Sequence, residues 1–256
     1  MAEKQTALIT AGGSGIGLQM AHQFLANGYE VAITDIDEAA LNKARKALPS
    51  AICLQADVAN EASMRAVEHE LDNRWARLDV VMANAGIAGP TSYIEDVTLK
   101  DWKHCIAVNL DGAFLACRYA ASRMKQQGSG VITLTSSTAG LFGYPCRSPY
   151  AAAKWGIIGL MKTLAMELGP SAVRVNAICP GAVNGDRMDR VIANEARTRG
   201  LSEESLRAGY AKCVSLRQFV NAEDIADMAV FLASDKAKTV SGMAMAVDGH
   251  TEQVTL

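Results

Sequence analysis

The 256-residue sequence has no long hydrophobic run, no paired-cysteine motif and no large excess of charge of either sign. No segment approaches the ~18 uninterrupted apolar residues of a membrane-spanning helix, and the start, Met1 to Gln5, lacks the apolar core of a signal peptide. We therefore expect a cytoplasmic protein. A net charge of −2 gives no reason to expect nucleic acid or an anionic membrane as partner, which favours small molecules.

Cysteine and histidine are too scattered to indicate a metal site. The six cysteines include no Cys-x-x-Cys pair, and the four histidines form no pair at helical spacing. Reduced, mostly packed thiols are therefore expected, and no metal. Cys146 and Cys213 fall in segments that are expected to be exposed.

Short apolar segments alternate with helical patterns along the whole chain. The predicted strands are Thr6–Thr10, Glu30–Thr34, Ala51–Gln55, Leu78–Ala83, Val131–Ser136, Val173–Ile178 and Met243–Val247, and the predicted helices cover about 15–27, 38–47, 61–75, 99–126, 149–168 and 222–233. Continuous apolar strands between helices indicate a parallel sheet that is covered on both faces. We predict a single α/β domain, residues 1–256, with a doubly wound, Rossmann-type sheet of seven parallel strands.

One polar, charge-rich stretch, about 184–217, interrupts this alternation before the last strand. Short helices are expected near 186–198 and 203–211. Because ligands of doubly wound folds sit beyond the carboxyl ends of the strands, this insertion is placed to act as a substrate lid. An ordinary solvated excursion remains the alternative.

A glycine-rich turn follows the first strand directly, in the segment Thr10 to Gly17. Glycines there let the backbone approach a pyrophosphate, whose charge the free N–H groups of a helix N-terminus can meet. The spacing differs from the Gly-x-Gly-x-x-Gly fingerprint, because Leu18 stands where the third glycine would be. A dinucleotide site is the interpretation that this turn favours.

Asp35 closes the second strand, 20 residues after Gly15. A carboxylate at that point can accept hydrogen bonds from ribose hydroxyls and would repel a 2′-phosphate. No Arg or Lys lies beside it in the segment Thr34 to Asp37. The sequence therefore predicts NAD(H) rather than NADP(H), with Asp37 as the N-cap of the next helix.

Tyr150 and Lys154 stand four residues apart at the start of a predicted helix and so share one face of it. A unit charge ~4 Å away at an effective dielectric of ~20 is worth about 4 kcal/mol, which would lower the pKa of a phenol towards neutrality. A proton-transfer group works best there. A solvated helix face is the alternative explanation of the spacing alone.

These motifs together resemble the short-chain dehydrogenase/reductase family over essentially the whole chain. Its cofactor loop resembles the segment Thr10 to Gly17, although Ala11 replaces the first glycine, which predicts a negative φ at Ala11. The further matches are Asp57-Val58, Asn84-Ala85-Gly86, Asn109 within Val-Asn-Leu-x-Gly, Ser137 thirteen residues before Tyr150, and Pro180-Gly181 with Val183. A cofactor-contacting Thr of the family is replaced by Gly185.

The resemblance implies a set of cofactor-binding residues and a set of catalytic residues. The cofactor-binding residues are Gly12, Ser14, Gly15, Ile16, Asp35, Ile36, Asp57, Val58, Asn84, Ala85, Gly86, Tyr150, Lys154, Pro180, Gly181 and Val183. The catalytic residues are Tyr150 as general acid or base, Ser137 as donor to the substrate oxygen, Lys154 as the charge beside the phenol, and Asn109 as holder of a proton-relay water. Ser136 is expected to be structural.

The activity that the resemblance implies is hydride transfer between NAD(H) and a secondary alcohol or ketone, in a homotetramer. An NADPH-dependent 3-oxoacyl reductase and a non-catalytic dinucleotide-binding sensor remain the alternatives. Arg147, Arg187 and Arg190 are candidates for binding an anionic substrate. Acidic residues interleave with the last two arginines, so salt bridges within the lid are the competing interpretation.

Overall fold

Seven parallel strands form one sheet in the computed structural model, which describes residues 4–252. The strands are β1 (Thr6–Thr10), β2 (Glu30–Asp35), β3 (Ile52–Gln55), β4 (Val80–Ala83), β5 (Gly130–Thr135), β6 (Val173–Pro180) and β7 (Ala244–Val247), in the order β3-β2-β1-β4-β5-β6-β7. Every neighbouring pair is parallel, which confirms the predicted fold class. Residues 1–3, the start of the segment in which no signal-peptide core is expected, lie outside the described range.

The strands are apolar along their whole length because both faces of the sheet are covered. In β1, Leu8 points into one hydrophobic cluster, whereas Ala7 and Ile9 point into the cluster on the opposite face. All three side chains are fully buried. Two cores therefore hold the sheet rigidly, and the carboxyl ends of its strands form a fixed edge on which a site can be built.

Nine α-helices accompany the sheet within residues 4–252. They are α1 (Gly15–Ala26), α2 (Glu38–Ala47), α3 (Glu61–Arg74), α4 (Leu99–Ile106), α5 (Gly112–Gln127), α6 (Ser148–Leu168), α7 (Asp186–Arg199), α8 (Glu203–Lys212) and α9 (Ala222–Ala233). Asp37 caps α2 as predicted, since its Oδ1 accepts a hydrogen bond of 2.8 Å from the Ala39 amide. None of these helices is both long and apolar enough to span a bilayer.

The single helix predicted over 99–126 is divided in the structure. A π-helical turn, Ala107–Asp111, separates α4 from α5. Such turns are frequent at functional sites, because the extra residue turns a side chain to a direction that an α-helix does not offer. Here the turn contains Asn109, which is fully buried.

The predicted negative φ at Ala11 is wrong. Ala11 has φ of 51°, in the left-handed region that disfavours any residue with a Cβ. The reason lies in the next turn of the chain, where a Cβ added at Gly17 would lie 2.1 Å from the Ala11 carbonyl oxygen. The loop thus folds back tightly on α1, and this contact sets the backbone direction at Ala11.

We expect the Ala11→Gly variant to be more stable than the natural protein by about 1 kcal/mol, because glycine adopts a positive φ without steric cost. Urea denaturation measures the change in the free energy of unfolding. Ala172 also has a positive φ, of 55°, and is exposed, so Ala172→Gly is the matched control for strain outside the loop. A loss of stability at Ala11 beside a gain at Ala172 would contradict this account.

The two cysteines that were expected to be exposed are both buried, so that prediction is wrong. Cys146 is 8% exposed and Cys213 is 7% exposed. Cys146 is covered because its carbonyl accepts a hydrogen bond from the Ser92 amide, and the carbonyl of Cys213 accepts one from Glu252 in the C-terminal segment. Long-range pairing of loop backbone buries these thiols, and the local sequence gives no sign of it.

Candidate active site

A cavity of about 580 Å³ opens at the carboxyl edge of the sheet, between the glycine loop, the start of α6 and the inserted helices. Its lining includes the following predicted site residues: Ser14, Gly15, Ile16, Asn84, Gly86, Ser137, Arg147, Tyr150, Lys154, Pro180, Gly181, Val183, Arg187 and Arg190. Residues from six separate stretches of the chain thus converge on one space. Convergence of this kind is the property expected of a ligand site in a doubly wound fold.

Seven predicted site residues lie outside that lining: Gly12, Asp35, Ile36, Asp57, Val58, Ala85 and Asn109. Asp35 is the last residue of β2, Ile36 follows it, and Asp57 follows β3, so these residues lie at the same carboxyl edge farther along the sheet. Asp35 is half-buried and Ile36 is 63% exposed. The structure therefore divides the predicted cofactor residues between a cavity and an adjoining open edge.

The glycine loop is held by hydrogen bonds to β2. The amide of Gly12 donates to the Thr34 carbonyl at 2.8 Å, and the amide of Gly13 donates to Asp35 Oδ2 at 3.0 Å. A Cβ at Gly13 would lie 2.8 Å from that carboxylate oxygen, which explains the glycine. Ser14 is the N-cap residue of α1, but its side chain accepts no hydrogen bond from the helix. The first N–H groups of α1, next to the cavity, are therefore left without a capping side chain.

Asn84 ties the ends of three neighbouring strands together. Its Nδ2 donates to the Thr10 carbonyl at 3.1 Å, and its Oδ1 accepts from the Thr135 hydroxyl at 3.2 Å. The Thr10 hydroxyl in turn accepts from the amides of Asn84 and Ala85, both at 3.0 Å. This network fixes the floor of the cavity, and it gives Asn84 and Ala85 a structural role that is independent of any ligand.

Tyr150, Lys154 and Ser137 meet in the cavity. Lys154 lies one helical turn after Tyr150 on α6, with its Nζ 5.6 Å from the centre of the tyrosine ring. Lys154 is 2% exposed, and its Nζ donates to the Thr135 carbonyl at 2.7 Å. Ser137 lies just beyond β5 and lines the same cavity as Tyr150 and Lys154. Its neighbour Ser136 donates to the Lys154 carbonyl at 2.9 Å, which is the structural role predicted for it.

Charge around Tyr150 lowers the pKa of its phenol. Burial by itself raises that pKa, but the nearby charge of Lys154, followed by those of Arg187 and Arg147, outweighs the effect of burial. The neighbouring Ser137 hydroxyl, as a donor to the phenol oxygen, acts in the same direction. The pKa of Tyr150 therefore lies below its ordinary value of 10.0. Burial also lowers the pKa of Lys154, and the adjacent phenol opposes that shift.

Asn109 points one polar atom at the lysine side of the cavity. Its Nδ2 donates to the carbonyls of Cys105 at 2.9 Å and Ile87 at 3.1 Å, whereas its buried Oδ1 accepts no hydrogen bond from any residue in 4–252. A Cβ added at Gly86 would lie 2.6 Å from this Oδ1 and 3.3 Å from Lys154 Nζ. Asn109 Oδ1 and Lys154 Nζ thus both lie close to the same position beside Gly86. A buried oxygen without a hydrogen-bond partner at that position suits a bound water.

Comparison with known proteins shows the family to which the chain belongs. The family model described as "Enoyl-(Acyl carrier protein) reductase" matches residues 10–250. D-beta-hydroxybutyrate dehydrogenase of Rhizobium meliloti is 34% identical over 96% of this chain and 97% of that protein. The crystal structure of levodione reductase superimposes with a TM-score of 0.91 at 30% identity, over 96% of each chain. The chain belongs to the short-chain dehydrogenase/reductase family.

A second solved structure, NAD+-bound xylitol dehydrogenase, superimposes with a TM-score of 0.93 at 26% identity, over 96% of this chain and 98% of that one. The named relatives of this short-chain dehydrogenase/reductase are oxidoreductases of secondary alcohols or ketones. Membership of the family makes the protein an oxidoreductase that uses a nicotinamide dinucleotide.

Val183 follows β6 and lines the cavity. An isolated parallel bridge pairs it with Val220, using the Ala182 carbonyl and the Asn184 amide. In a parallel bridge of this kind the central residue's own N–H and C=O point the other way. The N–H and C=O groups of Val183 are therefore outside that pairing, in a residue that lines the cavity.

The three candidate arginines occupy different places. Arg147 is 5% exposed, and its guanidinium lies 4.6 Å from the centre of the Tyr150 ring and donates to the Ala88 carbonyl at 3.1 Å. Arg187 is exposed and reaches across the cavity to the Gly86 carbonyl at 3.2 Å. Arg190 is exposed and lines the cavity one turn farther along α7.

In this short-chain dehydrogenase/reductase the insertion contributes α7 and α8, close to the two short helices that were predicted. Tyr144 and Tyr210 stack with their ring centres 6.5 Å apart and close one side of the cavity. The Tyr210 hydroxyl donates to the buried Glu195 at 2.6 Å. Neither tyrosine carried a sequence signal, because their contact joins residues 66 positions apart. The main-chain carbonyl of Thr135 was missed for the same reason.

Proposed function

We propose that the protein transfers a hydride between NAD(H) and a secondary alcohol or ketone, with Tyr150 as the general acid or base. The observation that carries this proposal is the meeting of Tyr150, Lys154 and Ser137 in a cavity that the glycine loop borders. A dinucleotide-binding sensor would need the loop but would have no use for a phenol with a lowered pKa.

The residues present fit a nicotinamide dinucleotide. The uncapped N-terminus of α1 would receive the pyrophosphate at Ser14, Gly15 and Ile16, and the backbone of Val183 would meet the carboxamide. When bound, the nicotinamide supplies the carbon that accepts or gives the hydride. The family resemblance also assigns the nicotinamide ribose to the Lys154 ammonium, which lines the same cavity beside Tyr150.

Proton transfer is assigned to this chain's own side chains. In oxidation, Tyr150 would take the proton of the substrate hydroxyl, and in reduction it would give that proton back. Ser137 would donate a hydrogen bond to the same oxygen and stabilise its developing negative charge. Lys154 Nζ and Asn109 Oδ1 border the same spot, so a water there would pass the proton from the phenol towards solvent.

Asp35 supports NAD(H) as the cofactor. Its carboxylate accepts hydrogen bonds from the amides of Gly13 and Asp37, both at 3.0 Å, which fixes it at the end of β2. A fixed negative charge at that edge would repel a 2′-phosphate. Ile36, the exposed residue beside it, brings no positive charge to offset that repulsion.

A screen of secondary alcohols with NAD+, and in parallel with NADP+, tests the proposed reaction and its cofactor together. The absorbance of the reduced dinucleotide measures turnover. We expect turnover with NAD+. Asp35→Asn, which removes the charge but keeps an acceptor for Gly13, combined with Ile36→Arg should move the ratio of kcat/KM towards NADP+ by roughly a hundredfold, or about 3 kcal/mol. A natural protein that already prefers NADP+ would overturn the assignment to Asp35.

Assembly as a homotetramer is part of the same proposal. Large apolar side chains are exposed along the two long helices beside the sheet: Phe114 on α5 is 45% exposed, and Trp155 and Met166 on α6 are 50% and 81% exposed. Exposed apolar faces of this kind suit packing against a second copy. The cytoplasmic location stays a prediction.

A further inference from the structure

The cavity carries more positive charge than a dinucleotide requires. Four cationic side chains line it, Arg147, Lys154, Arg187 and Arg190, against one carboxylate, that of Asp186. A dinucleotide brings two negative charges on its pyrophosphate and a positive charge on its oxidised nicotinamide ring. After the cofactor is bound, a positive excess is left in the cavity, in a protein whose net charge is −2.

The acidic residues of the lid do not neutralise this excess. Asp189 pairs with Arg207, and Glu195 pairs with Arg199 at 2.7 Å. Within residues 4–252, neither Arg187 nor Arg190 has a salt bridge to a carboxylate. The sequence also allowed the interpretation that Arg187 and Arg190 form salt bridges within the lid. The structure does not show such salt bridges among the described residues.

Two of the four cations are engaged on the cofactor side. Lys154 is bonded to the Thr135 carbonyl, and Arg187 is bonded to the Gly86 carbonyl in the turn after β4. Arg190 lines the cavity from α7, beyond Arg187. Arg147 lies against the ring of Tyr150, and its Nε is buried without an acceptor among the described residues. The Nη2 of Arg147 donates to the Ala88 carbonyl, but its Nε is left for a second ligand, as is the whole guanidinium of Arg190, for which the structure of residues 4–252 shows no hydrogen bond.

An unpaired buried guanidinium N–H is costly and points to a missing acceptor. Arginine donates in a planar fork that matches the oxygens of a carboxylate or sulfonate. The remaining wall of this part of the cavity is largely apolar or aromatic, with Tyr144, Met188, Val191 and Tyr210. Such a wall suits a short carbon chain between the reacting carbon and an anionic end.

Resting on the proposed function, we propose that the substrate is a secondary alcohol or ketone with a carboxylate or sulfonate group, which Arg190 binds while Arg147 adds positive charge beside the reacting end. This arrangement makes Arg190 a determinant of substrate specificity. Arg147 would act both on the substrate anion and on the pKa of the Tyr150 phenol, so a substitution there would change two properties together. Arg190 is therefore the better position for a test.

The test compares matched acid and neutral substrates. We would measure kcat and KM for oxidation by the natural protein and by Arg190→Gln. One set of substrates is the isomeric secondary hydroxypentanoates and their amides, and the other is a secondary hydroxyalkanesulfonate and its sulfonamide. We expect the acids to be preferred, and Arg190→Gln to raise their KM by roughly ten- to a hundredfold while leaving the amides and the affinity for NADH unchanged. The rank of carboxylate against sulfonate identifies the anion.

Arg197→Gln is the matched control, because Arg197 lies on the same helix with its side chain exposed and outside the cavity lining. It should change no kinetic constant. Binding of the corresponding keto acids and keto amides to the NAD+ complex, which holds no hydride to give to a ketone, would be followed by calorimetry and tests the same preference without turnover. Equal affinity for acid and amide, or an unchanged preference in Arg190→Gln, would overturn the inference. Absence of turnover with every alcohol would instead count against the proposed function.

Discussion

Replacing Tyr150 with phenylalanine is expected to lower kcat for alcohol oxidation by about 10³-fold, within the range by which a positioned acid or base accelerates proton transfer. The variant keeps the aromatic ring, and with it the contact with the Arg147 guanidinium at 4.6 Å. It loses only the hydroxyl that would take the substrate proton. Steady-state kinetics with NAD+ at neutral pH measures the change.

The binding of NADH, followed by its fluorescence, should change little in Tyr150→Phe, because the glycine loop and Val183 are untouched. Tyr29→Phe is the matched control, since Tyr29 packs against Phe24 away from the cavity. Full activity in Tyr150→Phe would assign the proton transfer to another group. A loss of both activity and folding would show a structural role instead, which circular dichroism would detect.

Replacing Lys154 with methionine should displace the pH profile of kcat and lower activity at neutral pH. Burial raises the pKa of the Tyr150 phenol, and the charge of Lys154, whose Nζ lies 5.6 Å from the ring centre, is the largest influence that lowers it. Oxidation needs the phenolate, so the rate rises with pH through the pKa of Tyr150. Loss of the ammonium raises that pKa, moves the rising limb to higher pH and lowers kcat at neutral pH by roughly a hundredfold.

The KM for NAD+ should rise in the same variant, because Lys154 would also bind the nicotinamide ribose. Part of the lowered pKa should survive, since Arg187 and Arg147 keep their charges near the phenol. Lys162→Met is the matched control, two turns farther along α6 and exposed. A reduced kcat with an unchanged pH profile would mean that Lys154 positions the site without lowering the pKa of Tyr150.

Periodicity and end signals in the sequence predicted most of the fold. β1, α2 and α9 have the predicted bounds, and Asp37 caps α2 as expected. These features depend on residues close together in the chain: alternation of apolar segments, capping side chains and turn glycines. The pairing of Tyr150 with Lys154 is of the same kind, because a helix fixes the relation of residues four apart.

The sequence by itself therefore determined the alternation of strands and helices, the glycine loop and the chemistry available on one face of α6. Tertiary structure alone decided the positive φ of Ala11, the unpaired Oδ1 of Asn109 and the burial of Arg147 against Tyr150. It also decided which lid arginines meet carboxylates and which face the cavity. The physical reason is that local propensity acts over a few residues, whereas burial, charge pairing and backbone strain depend on neighbours that are far apart in the chain.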